Sequence, residues 1–201
     1  MIARVRSAIA PLLAEARISS EQISQRVRGH AVTILESRGD WVRVRGDDEY
    51  EGWTHQGYLG PLDPTDPEGP RWPFVASATL EKTARTAFVG TPYQWGGITP
   101  CGADCSGFVQ TVFAVHGIAL PRDAYQQALE GQPCGGDQAG DLLFFSERED
   151  GRITHVAIAL GATEFAHVAL GRGGHAVERR DAADEYVRRL LASFRCARRV
   201  G

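Results

Sequence analysis

The sequence has no long apolar run. Its start, Met1-Ile2-Ala3-Arg4-Val5-Arg6, carries positive charge, but no continuous apolar stretch follows before Glu15 and Arg17. Neither a signal peptide nor a transmembrane span is therefore expected. Excess charge is also scarce: 22 Lys and Arg against 25 Asp and Glu leave a formal charge of -3, with the signs interspersed. That excludes a basic nucleic-acid footprint and a polybasic membrane anchor. Cysteine is sparse as well. Four residues, Cys101, Cys105, Cys134 and Cys196, fall short of a disulfide-stapled scaffold. Together with the missing leader they point to a reducing cytoplasm. There are no internal repeats and no low-complexity segments. What is present is turn-forming residues, 23 Gly and 10 Pro, in 201 residues that suffice for one domain or two small ones.

Residues 1–61 read as a small β domain. The β-branched run His30-Ala31-Val32-Thr33-Ile34-Leu35-Glu36 ends at the turn Ser37-Arg38-Gly39-Asp40. Trp41-Val42-Arg43-Val44-Arg45 then alternates, with Val42 and Val44 on one face. After the turn Gly46-Asp47-Asp48-Glu49 comes a third strand, Tyr50-Glu51-Gly52-Trp53-Thr54. Short strands at this spacing suggest a small barrel. Residues 62–71 hold three prolines in seven positions and read as a linker. The remaining part, 72–201, begins with a helix over 76–89, where Leu80, Ala84, Ala87 and Phe88 recur at helical spacing. A second helix carries Cys105, and a short one follows Pro121-Arg122-Asp123. From Gly140 the period changes to two, giving strands over 141–145, 153–160 and 164–169 and a fourth near Ala176-Val177-Glu178. Helices followed by antiparallel strands make an α+β order.

The Cys105 helix is the most informative stretch. In Asp104-Cys105-Ser106-Gly107-Phe108-Val109-Gln110, Asp104 suits an N-cap, and Phe108, Val109, Val112, Phe113 and Val115 form a broad apolar face. Gly117 suits the C′ position. Cys105 then lies in the first turn, where free N–H groups and the positive end of the dipole favour a thiolate nucleophile. Such a nucleophile needs an imidazole for its proton and a polar group to orient that imidazole. His155 and His167 each lie inside an apolar strand. If Gly161-Ala162-Thr163 closes a three-residue hairpin loop, Leu160 pairs with Glu164 and Ala157 with His167, and the two histidines share one face. His30, His55, His116 and His175 occupy turns or element ends and read as solvated. Cys101-x₃-Cys105 lacks zinc-ligand spacing, so neither a metal nor another cofactor is expected.

The series "PYQWGG", "DCSGFVQ", "GIALPRDAYQQ", "AGDLLFF", "ITHVAIAL", "FAHVAL" resembles the NlpC-type bacterial cell-wall cysteine peptidases across residues 91–169. The order "GDWVRVR", acidic turn, "GWTHQGYL" resembles a bacterial SH3-like domain across 3–61. The resemblance implies an SH3-like barrel followed by a circularly permuted papain-like domain, with helices packed on an antiparallel sheet. It makes Cys105 the nucleophile, His155 the base, His167 the orienting residue and Tyr93 an oxyanion donor. It further implies cleavage between γ-linked D-glutamate and a diamino acid in murein peptides, releasing L-Ala-γ-D-Glu. Asp123 would pair with a free substrate ammonium, and Tyr50 would close the same subsite. Asp104, Ser106, Trp95 and Ala124 are the remaining candidates for substrate contact; Ala124 replaces a serine present in some relatives. The other implied readings are an exported endopeptidase that trims intact wall and a silent wall-binding protein. The complete cysteine and histidine set disfavours silence. Asp123 and the missing leader disfavour wall trimming.

Overall fold

Short β-branched runs broken by turns give the N-terminal part seven strands. They are β1 (Ile2–Val5), β2 (Ile9–Leu13), β3 (Gln22–Val27), β4 (Ala31–Arg38), β5 (Trp41–Arg45), β6 (Glu51–His55) and β7 (Leu59–Gly60). The computed structural model describes residues 1–61 and 69–201; most of the expected linker, 62–68, lies outside the described residues. The seven strands form one antiparallel sheet in the order β3-β2-β6-β5-β4-β1-β7. Its core is Ala3, Leu12, Val32, Val42 and Val44. The three strands anticipated from the sequence correspond to β4, β5 and β6. Gly39 takes the left-handed conformation, with φ 58°, at the tight β4–β5 turn.

Residues Met1–Pro73 and Trp95–Ile98 form one compact unit, and Phe74–Gln94 and Thr99–Gly201 a second. The end of the expected linker thus belongs to the first unit. The Arg71 N–H donates to the Arg28 carbonyl at 2.7 Å, and the Trp72 ring meets His30 edge-on at 5.4 Å. The short Trp95–Ile98 segment is tied to the same unit: the Gln22 amide donates to the Trp95 carbonyl at 3.0 Å, and Gln25 Oε1 accepts from the Ile98 N–H.

His30 is not solvated, contrary to its placement at an element end. It is 8% exposed, and its Nδ1 accepts the Val27 N–H at 3.0 Å, which holds the turn before β4. Burial first, and then the charge of Arg26, push its pKa down from 6.5 to about 4. The unfolded chain therefore binds more protons than the folded one between those values. The stability that neutral His30 contributes is complete above pH 6.5 and is lost as pH falls toward 4, by up to roughly 3 kcal/mol. Urea unfolding followed from pH 7 to pH 4.5 is expected to weaken less in His30→Asn, which keeps the acceptor but cannot titrate there. An equal pH slope in both proteins would contradict this.

The second unit contains α1 (Leu80–Thr86), the short strands β8 (Ile98–Thr99, entered from the first unit) and β9 (Gly102–Ala103), α2 (Cys105–Ala114) and α3 (Ala124–Gln127). After these come β10 (Gln132–Pro133), β11 (Leu142–Phe145), β12 (His155–Ala159), β13 (Glu164–Ala169), β14 (Gly174–Arg179), α4 (Glu185–Ala192) and β15 (Phe194–Arg199). The first helix is shorter than expected, because the side chain of Thr79 caps its start by accepting from Lys82 N. The main sheet runs β10-β15-β11-β12-β13-β14. One face, with Leu142, Phe144, Val156, Ile158, Ala166 and Val168, packs on Phe108, Val109, Val112 and Phe113 of α2. The other, with Leu143, Phe145, Ala157 and Phe165, is covered partly by Leu190 and Leu191 of α4. The chain does not simply end with strands: α4 and β15 follow β14, and β15 inserts beside β11. Among the described residues no helix is long and apolar enough to cross a membrane.

Candidate active site

Asp104 caps α2 as the sequence suggests, accepting the Gly107 N–H at 2.8 Å. The carboxylate also receives a two-pronged contact from Arg122, at 3.0 and 2.6 Å, and Arg122 Nη1 reaches Ser106 Oγ at 2.9 Å. Arg122 is 1% exposed, so this ion pair is buried. Breaking such a pair by removing one partner costs about 3–5 kcal/mol. The Asp104 and Ser106 side chains are thus turned into a cluster that fixes the start of α2. Gln127, also buried, adds a bond from its amide to the Ser106 carbonyl at 3.0 Å.

Cys105 is buried at the first helical position. The expected thiolate is not its resting form. Burial pushes the thiol up to about 12, helped by the neighbouring Asp104 charge. The Val156 and Ser106 N–H groups and Arg122 oppose this without overcoming it. The dipole argument fails because it omits the cost of placing a lone anion in a dry site. The contact with Val156 N–H also sets the sulfur against β12 one residue from His155.

The hairpin register is the one the three-residue loop requires. Leu160 N–H donates to the Glu164 carbonyl at 2.9 Å, and Ile158 and Ala159 pair with Ala166 and Phe165. His155 and His167 consequently lie on one face, with His155 Nε2 2.9 Å from His167 Nδ1 and the rings nearly perpendicular at 75°. This face also carries Phe145 and Phe165, whose rings flank the two imidazoles. His167 is fully buried. Burial, and then the proximity of His167, push His155 down to about 3. The thiol and the imidazole are therefore both neutral at rest.

Tyr93 is half-buried between the Gly173 carbonyl, which accepts its N–H at 2.9 Å, and a bridge to Ala103. Burial, and then Cys105 and Asp104, push its phenol up to about 12, so the hydroxyl keeps its proton and stays a donor. Asp123 is the N-cap of α3 in a capping box, with its own N–H donating to Gln126 Oε1 at 3.2 Å, and Ala124 is buried behind it. Trp95, 59% exposed, and Tyr50 both lie in the first unit; Tyr50 follows the acidic turn, its N–H donating to Asp48 Oδ1 at 3.1 Å. Of the candidates, then, the second unit holds Cys105, His155, His167, Tyr93, Asp104, Ser106, Asp123 and Ala124.

The other histidines are engaged rather than solvated. His116 Nε2 meets Thr83 Oγ1 at 2.9 Å, His175 Nε2 donates to the Ala84 carbonyl at 2.9 Å, and His55 Nδ1 accepts the Gly57 N–H at 3.1 Å. Element ends are where unpaired backbone groups collect, and a ring nitrogen is a ready partner for them. Among the described residues no three of His, Cys, Asp and Glu group as metal ligands. All four cysteines are free of disulfides.

Sequence reading missed Arg122 and a second cluster behind His167. There Glu178 Oε1 stands 3.6 Å from His167 Nε2 and accepts from Arg172 Nε at 2.6 Å. Arg172 also pairs with Asp184 at 2.9 Å and lies over the Tyr186 ring at 4.5 Å. The available signal was Glu178 itself, a carboxylate on the fourth predicted strand.

Comparison with known proteins matches residues 90–195 to the NlpC/P60 family and residues 9–60 to the bacterial SH3 domain. A gamma-D-glutamyl-L-lysine dipeptidyl-peptidase of Bacillus subtilis is 46% identical over 83 residues, covering 40% of this chain and 28% of that protein. Dipeptidyl-peptidase 6 of Lysinibacillus sphaericus is 31% identical over 173 residues, 81% of this chain and 58% of that protein. The chain thus spans less than two thirds of either relative. A crystal structure of an NlpC/P60 family protein from Bacillus cereus superposes with a TM-score of 0.79 at 19% identity, covering 99% of both chains, a likeness of fold.

Proposed function

The chain belongs to the NlpC/P60 family, and from that premise we propose that it is a cysteine peptidase acting on peptidoglycan stem peptides. Its bond would be the one joining γ-linked D-glutamate to a diamino acid, with L-Ala-γ-D-Glu as the released product. The observation that carries the chemistry is the His155–His167 contact of 2.9 Å on the strand against which the Cys105 sulfur packs. The name of the Bacillus subtilis relative, a gamma-D-glutamyl-L-lysine dipeptidyl-peptidase, supports the choice of substrate.

In this reading His155 takes the thiol proton as the sulfur attacks the γ-carbonyl carbon. Forming thiolate and imidazolium together avoids the lone buried charge that keeps each group neutral at rest. The carbonyl oxygen becomes an oxyanion, for which the protonated Tyr93 hydroxyl and the backbone N–H groups at the start of α2 are suitable donors. The C–N bond then breaks, and the imidazolium gives its proton to the departing α-amine. Water, deprotonated by His155, hydrolyses the thioester and returns the thiol. Asp123 serves as the acceptor for the substrate's free ammonium, a charge-assisted contact. In this reading the chain acts in the turnover of peptides already freed from the wall.

The test is product analysis by mass spectrometry on L-Ala-γ-D-Glu-diamino acid tripeptides. Release of the L-Ala-γ-D-Glu dipeptide and the free diamino acid is expected. Release of alanine, or digestion of intact peptidoglycan with the tripeptide untouched, would overturn the reading in favour of another bond or of wall trimming.

A further inference from the structure

In the His155–His167 contact one ring nitrogen must donate and the other accept, and with one proton on each ring two arrangements satisfy the 2.9 Å distance. In the first, His155 Nε2–H donates to His167 Nδ1. His155 Nδ1 is then a bare acceptor, able to take a proton from Cys105, and His167 carries its proton on Nε2. In the second, His167 Nδ1–H donates to His155 Nε2. His155 then carries its proton on Nδ1 and cannot act as a base, while His167 Nε2 presents a lone pair outward. Only the first is competent for thiol chemistry.

What lies beyond His167 Nε2 separates the two. This atom is buried with no hydrogen-bond partner within normal distance among the described residues, and Glu178 Oε1 stands 3.6 Å away. Glu178 arrives there through the β13–β14 register: Phe165 pairs with Glu178 and His167 with Ala176, making Glu178 the diagonal neighbour of His167. Arg172 grips both carboxylate oxygens, at 2.6 and 3.3 Å. Burial pushes the Glu178 carboxyl up, but its contacts with His167 and Arg172 outweigh this and hold it below the ordinary carboxylate range. An anion facing a ring nitrogen in a buried site favours N–H there and disfavours a lone pair.

We propose that Glu178 is a positioning residue for the catalytic pair: its carboxylate holds the proton of His167 on Nε2, and thereby leaves His155 Nδ1 as the base for Cys105. The proposal rests on the thiol-peptidase reading but not on the identity of the substrate. Arg172, with Asp184 and Tyr186 behind it, keeps the carboxylate aimed.

A mutant cycle tests it. Glu178→Gln can present its amide nitrogen to His167 and stabilise the wrong tautomer. It should lower kcat on the stem tripeptide roughly 10–100-fold, the usual range for such outer partners, with KM within about twofold. In a His167→Asn background the asparagine carbonyl accepts from His155 without any tautomer to set, and its side chain is too short to reach Glu178. There Glu178→Gln should change kcat less than about twofold. The same pattern is expected in the rate at which iodoacetamide alkylates Cys105, a readout that needs no peptide. A failed tripeptide assay with the alkylation pattern intact would therefore refute the substrate and leave this inference standing. Equal losses in both backgrounds would reduce Glu178 to a structural clamp, and no loss with His167 present would remove its role. If Glu178→Gln does not fold, as judged by thermal unfolding, Glu178→Asp goes through the same cycle. It should show a smaller loss that again vanishes in the His167→Asn background; a loss that persists there would overturn the proposal.

Discussion

Cys105→Ala is expected to lose turnover by on the order of 10⁴-fold or more while unfolding at nearly the temperature of the parent protein. The loss is large because no neighbour can replace the nucleophile. Cys101 is exposed, and Cys134 and Cys196 are partly buried, Cys134 just after β10 and Cys196 on β15. Folding should survive because the start of α2 is fixed by Asp104, Arg122 and Ser106, none of which needs the sulfur. The parent protein labelled by iodoacetamide at Cys105 should be inactive. Since the lone thiol is pushed up to about 12, labelling near pH 7 depends on His155 receiving the proton. Persistent hydrolysis by Cys105→Ala, or full activity after labelling, would remove Cys105 from the mechanism.

The second large effect is an asymmetry between the two histidines. His155→Ala should cost about 10²–10⁴-fold in kcat, the ordinary worth of a positioned proton acceptor. It should slow Cys105 alkylation by a comparable factor. His167→Asn and His167→Gln should keep a measurable part of the activity, because an orienting acceptor can be an amide oxygen. Burial already places His155 as a neutral base, down at about 3, so His167 is needed to aim the ring and not to supply its proton. Equal losses at both positions in steady-state kinetics would contradict the division of roles.

The placement of Cys105, His155 and His167 was legible in the sequence because it rests on short-range rules. The cap at Asp104 and the apolar spacing behind it place Cys105 within one segment. The period of two on both sides of Gly161-Ala162-Thr163 sets the hairpin, and loop length then decides which faces His155 and His167 share. Arg122 and Glu178 obey no such rule. Their partners, Asp104 and His167, are brought to them by chain closure over loops, and a charge in a turn or on a strand resembles any solvated charge. The strand β15 was hidden for a related reason. Phe194-Arg195-Cys196-Ala197-Arg198-Arg199 reads as too charged for a paired interior strand. Yet Arg199 meets Asp141 at 2.7 Å, and Arg195 and Arg198 donate to the Ser146 and Ala128 carbonyls. Long stems let these side chains leave the sheet while the backbone stays in it. Burial, which no local pattern reports, opposes the helix dipole at Cys105.

The claim that the chain releases a dipeptide from a free amino terminus is tested most directly by kcat/KM on one tripeptide with its N-terminal amine free and N-acetylated. On the proposed role of Asp123, acetylation removes the positive charge that its carboxylate would pair with. Removing one partner of such a charge pair costs roughly 2–5 kcal/mol, or some one to four powers of ten. The free peptide is therefore expected to be preferred by a factor of about ten or more, with Asp123→Asn narrowing the gap. Rates within about threefold of each other would contradict it.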